Sequence, residues 1–121
     1  MRYFTFTAFD QEGLEGSGEQ FMDRTFLNNL DALRHICGFP FIVTSGYRSP
    51  EYNAQVSSTG LTGPHTTGKA ADIAVSRQNA RTVLHSALHM GCFTGIGINQ
   101  KGDGRFIHLD TIDGPNRLWT Y

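Results

Sequence analysis

The stretch His65-Thr66-Thr67-Gly68-Lys69-Ala70-Ala71-Asp72 decides how the chain is read. Its histidine follows Gly63-Pro64, a rigid bend where no packing rule asks for imidazole, and Gly68 allows a tight backbone turn. Asp72 then interrupts an apolar run made of Ala70, Ala71, Ile73, Ala74 and Val75. A carboxylate buried in such a run is unfavourable unless it is paired or bound to a cation. Much later, Phe106-Ile107-His108-Leu109-Asp110 sets a second histidine inside another apolar run. Two neutral imidazoles and one carboxylate, brought together, make a three-ligand zinc site with an open fourth position, the arrangement that hydrolytic zinc requires.

Working outward, Lys69 to Val75 and Arg105 to Thr111 are predicted strands. Before them, Tyr3 to Phe9 alternates aromatic and small polar residues and reads as an extended segment, and Gln11 to Gln20 reads as a solvated loop. Asp23 or Thr25 caps a helix reaching about Cys37, with Phe26, Leu27, Leu30, Leu33 and Ile36 on one face and Gly38 and Pro40 as stops. Phe41 to Thr44 is predicted to be a short buried strand, and Ser49-Pro50-Glu51 opens a brief helix with Ser49 as cap. Ser57 to Pro64 is a loop. Ser76 is predicted to cap a second long helix, Arg77 to His89, with Ala80, Val83, Leu84, Ala87 and Leu88 inward. Thr94 to Asn99 is a strand, joined to the His108 strand by a hairpin turn at Gln100 to Gly104, and Leu118 to Tyr121 is a last strand. The fold class expected is α+β, a single domain over residues 1–121 with helices packed on a small, mainly antiparallel sheet.

The formal net charge of −1 and the lack of any lysine or arginine run argue against nucleic acid or an anionic membrane surface as partner. Cys37 and Cys92 are too few for a disulfide framework and read as small buried apolar residues. The N-terminus lacks a secretory signal pattern and no stretch is long enough to insert in a membrane, so synthesis in the cytoplasm is expected. Among the other histidines, His85 and His89 share a helix face, but Ser86 stands where a helical zinc signature has glutamate. That pair reads as solvated, and His35 as a structural residue near a helix C-terminus.

His-x-x-Gly-x-Ala-x-Asp followed by Phe-Ile-His-Leu-Asp resembles the zinc D-Ala-D-Ala carboxypeptidase family (peptidase M15-like), which shares its fold with the hedgehog signalling domain. Ser45-Gly46-Tyr47-Arg48-Ser49-Pro50-Glu51-Tyr52-Asn53 is similar to its upstream motif, and Gly95-Ile96-Gly97-Ile98 and Trp119-Thr120-Tyr121 also fit. The resemblance covers roughly residues 24 to 121. It implies His65, Asp72 and His108 as ligands of a zinc ion, and Arg48 as the residue facing a substrate carboxylate, a role that suits a guanidinium fork. It further implies a peptidase acting on D-amino-acid-containing stem peptides of peptidoglycan, as carboxypeptidase or endopeptidase. The alternative is a zinc-containing binding module of the same fold without turnover. Two positions depart from the pattern. Arg105 stands where several members carry the general base, leaving Asp110, two along the strand from His108, or Asp103 in the turn; Asp110 is preferred, as base or as an acceptor orienting an imidazole. Gly63 stands where members have serine. A small chain of this kind is expected to be a monomer, encoded by a phage or prophage and reaching the bacterial cell wall through a holin-type lesion or as part of a virion.

Overall fold

The computed structural model describes all 121 residues. Five strands form one sheet in the order β1-β2-β4-β3-β5. They are β1 (Ile42–Ser45), β2 (Ala70–Ala74), β3 (Gly95–Asn99), β4 (Phe106–Asp110) and β5 (Arg117–Thr120). All pairs are antiparallel except β3 with β5, which is parallel. The α+β expectation therefore holds. The helices are α1 (Ser17–Phe21), α2 (Arg24–Cys37), α3 (Pro50–Val56) and α4 (Arg77–Met90).

Alternation along the strands divides the sheet into two faces. Ile73, Ile96, Ile107 and Leu109 join Phe26, Leu27, Leu30, Leu33, Val83 and Ala87 in one apolar cluster, which places α2 and α4 on that side. Asp72, His108, Asp110, Gly95 and Gly97 fall on the opposite face. Register puts Asp72 beside His108, His108 beside Gly97 and Gly97 beside Trp119. One row of cross-strand neighbours thus crosses four strands and carries two of the expected ligands.

Asp23 caps α2, its side chain accepting from the Phe26 amide at 2.8 Å, and Gly38 ends the helix in a left-handed conformation. Ser49 caps α3 with Pro50 at its first position. Several expectations need correction. Phe6–Phe9 is a 3₁₀ turn rather than extended, because Phe9 turns inward to full burial and its carbonyl accepts from the Tyr47 amide. The Gln11–Gln20 stretch is not a free loop: Asp10 holds the amides of Gly16 and Gly18, helix α1 starts at Ser17, and the Gln11 side chain accepts from the Ser49 amide. β1 is an edge strand, not a buried one, and Ile42 is exposed. Ile36 and Leu88 point to solvent, since the buried stripes continue through Cys37 and Met90 instead. Ser76 sits at the start of α4, but its side chain makes no capping bond. Cys37 and Cys92 are unpaired and half-buried against the core. No helix is long and apolar enough to cross a membrane.

Candidate metal centre

His65, Asp72 and His108 reach one point from three elements: a 3₁₀ turn at Pro64–Thr67, strand β2 and strand β4. One donor atom from each lies within 4.8 Å of the others, and all three residues are buried. His65 Nε2 stands 3.3 Å and His108 Nδ1 3.0 Å from Asp72 Oδ1. The two rings meet nearly edge to face at 72°.

The remaining ring nitrogens are tied from behind. His65 Nδ1–H donates to the Gly46 carbonyl at 2.8 Å, which leaves Nε2 with its lone pair turned towards Asp72. His108 Nε2–H donates to Asp110 Oδ2 at 2.8 Å, which leaves Nδ1 turned the same way. Outer acceptors of this kind fix tautomer and ring orientation in metal sites. Two pre-oriented imidazole nitrogens and a carboxylate oxygen are among the usual ligands of zinc. The donor set therefore fits the expected ion.

The charges are mutually dependent. Burial pushes the Asp72 carboxyl up, but hydrogen bonds and charge from His108 and His65 outweigh it and hold the group well below the usual carboxylate range. Burial likewise opposes protonation of His108, yet Asp110 and Asp72 on its two nitrogens raise its pKa above the ordinary value. Asp110 is buried too, and His108, Arg117 and the Ile112 amide bring its pKa down.

A cavity of about 530 Å³ opens over this cluster. Its lining includes Arg48, the Ser57–Thr59 segment, Arg117, Trp119 and Tyr121. Arg48 lines the cavity, with Nη2 3.7 Å from Asp72 Oδ2. Asp110 has no exposed surface and does not line the cavity. Its oxygens accept from His108, Arg117 and the Ile112 amide. Those bonds set its carboxylate behind His108 as an acceptor, one of the two roles that the sequence offered for it. Asp103 lies in a separate surface hollow with Ser76 and Arg77, so Asp72 is the one acid at the cavity. His85 and His89 stack in parallel on the exposed face of α4, away from the cluster.

Two contributors, Asn53 and Arg117, escaped the sequence reading. Asn53 is fully buried and accepts from Arg48 Nη1, while its amide donates to Thr59 and the Gly60 carbonyl. A polar residue on the inward side of α3 was the available signal. Gly63 is explained by the same network, since a Cβ there would come within 2.7 Å of Asn53 Nδ2 and closer still to Thr59. Arg117 pairs with Asp110 and lies over the Trp119 ring.

A search among curated proteins finds no match to the chain. The sequence model of one family, described as Peptidase M15, matches residues 5–110, a span that holds the 3₁₀ turn, all three convergent side chains, Arg48 and Asp110. With that match covering most of its length, the chain belongs to the Peptidase M15 family of zinc-dependent metallopeptidases.

Proposed function

We propose that the protein is a zinc peptidase that hydrolyses D-amino-acid-containing stem peptides of peptidoglycan and so acts on the bacterial cell wall. The observation that carries this reading is the convergence of His65 Nε2, Asp72 Oδ1 and His108 Nδ1 at the base of a cavity. Bound there, zinc supplies Lewis-acid polarisation of a carbonyl and a water of near-neutral pKa. His65, Asp72 and His108 would hold the ion at the base of the cavity. Arg48 receives a substrate carboxylate; Asn53 fixes one of its nitrogens, so the fork is already oriented when the peptide arrives. Asp110 keeps the His108 ring in register and is a positioning residue rather than a base. Trp119 closes the cavity against the His108 ring, with centroids 5.1 Å apart, and limits access of bulk water.

A second reading, a zinc-holding module without turnover, is favoured by one observation: no acid other than Asp72 lines the cavity. One assay separates the two. Purified protein with zinc is incubated with peptidoglycan, and new amino groups are counted. Release by the wild type and none by His65→Ala supports the peptidase; equal release by both contradicts it, and no release by a zinc-loaded wild type favours the module.

A further inference from the structure

Two guanidiniums border the cavity, and the chemistry above uses one. The charged groups run in a row: Arg48 Nη2 is 3.7 Å from Asp72 Oδ2, and Asp72 Oδ1 is 3.0 Å from His108 Nδ1. His108 Nε2 is 2.8 Å from Asp110 Oδ2, and Asp110 Oδ1 is 2.5 Å from Arg117 Nη2. Strand order runs the same way, with Arg48 just beyond β1 at one edge of the sheet and Arg117 on β5 at the other. The two cations therefore flank the ligand cluster on opposite sides.

Arg117 is more than a partner for Asp110. A guanidinium has five N–H donors, and Asp110 engages one nitrogen of this one. Asp110 has no exposed surface, whereas the Arg117 side chain is 38% exposed and lines the cavity. Charge points the same way. With a divalent cation and two neutral imidazoles, Asp72 and Asp110 balance the metal, and the two arginines remain as positive charge facing the open space.

We propose that Arg117 is a second anion-binding residue of the site, and that the preferred substrate carries a carboxylate on each side of the scissile bond, one held by Arg48 and the other by Arg117. This rests on the zinc-peptidase reading and narrows its substrate class to dianionic peptides.

The test uses two ketomethylene analogues, in which –CO–CH₂– replaces the scissile amide so that no turnover occurs. One mimics acetyl-D-alanyl-D-alanine and the other acetyl-D-glutamyl-D-alanine; the second has the extra carboxylate. Binding to the zinc-loaded protein is measured by calorimetry. The glutamyl analogue is expected to bind the wild type about tenfold tighter. Arg117→Gln should erase that preference, so that the variant binds both analogues equally within about twofold, while Arg117→Lys should restore part of it. Equal binding of both analogues to the wild type overturns the proposal. So does a uniform weakening of both in Arg117→Gln, because an arginine acting only through Asp110 would produce that result. Zinc content of the same samples reports separately on the metal-site reading: zinc-free protein would count against the peptidase and not against the anion preference.

Discussion

At the residue scale the site rests on what stands behind each imidazole. The Gly46 carbonyl and the Asp110 carboxylate decide which nitrogen of His65 and His108 faces inward. Asp110→Asn retains the shape but removes the charge opposite His108 Nε2. Zinc affinity, measured against a chelator, should fall roughly 10- to 100-fold, the usual penalty for losing such a partner. An unchanged affinity would mean that Asp110 does not orient the ligand. Protons compete for the same atoms. Asp110 and Asp72 raise the pKa of His108, so protonation opposes metal binding from above the ordinary histidine value of about 6.5. Apparent zinc affinity should therefore decline as pH drops through that range. In metal-free protein the signs divide. The raised His108 contributes stability that is present at low pH and lost as pH rises through its folded pKa. The lowered Asp72 and Asp110 contribute stability present above about pH 4 and lost on acidification. Melting of chelator-treated protein should thus peak on the acidic side of neutrality; a melting temperature still rising well above neutral pH would contradict this.

At the element scale, β3 shows how strand alternation serves two faces. Ile96 enters the core, while Gly95 and Gly97 leave room on the site face. A Cβ on Gly97 would lie 2.6 Å from the Trp119 ring, and one on Gly95 would collide with the Asp110 carboxylate. Gly95→Ala should cost about 1–3 kcal/mol by overpacking, seen as a lower melting temperature, and should weaken zinc binding with it. Loss of stability at full zinc affinity would separate Asp110 from the site. Much of this level was legible in the sequence. Helix α2 declared itself by its stripe and by Asp23 and Gly38, because local propensity and burial agree there. The strands carrying Asp72 and His108 were readable because a polar residue in an apolar run contradicts its neighbours. The N-terminal segment was not: the alternation of Tyr3 to Phe9 has a strand's period, but Phe9 packs under Gly46, and a Cβ on that glycine would lie 2.6 Å from Phe9 Cα. Asp110 beside His108 was readable from their spacing of two on one strand. The role of Arg117 depends on β5 lying next to β3, and no local pattern encodes that order.

At the scale of the whole molecule, a modest core sits under one face of the sheet and the candidate centre on the other, joined through β2 and β4. A ligand bound only by the folded state stabilises it by mass action. Removing zinc should lower the melting temperature of the wild type and leave that of His65→Ala nearly unchanged. A reductant should have no such effect, since both cysteines are free. The most direct measurement is X-ray absorption at the zinc edge on protein loaded with one equivalent. The account predicts a single four-coordinate zinc, with two imidazole nitrogens near 2.0–2.1 Å and carboxylate oxygen in its shell, a signal that loses imidazole scattering in His65→Ala and again in His108→Ala. An unchanged spectrum in both variants, as would follow if zinc sat on His85 and His89 instead, would contradict it.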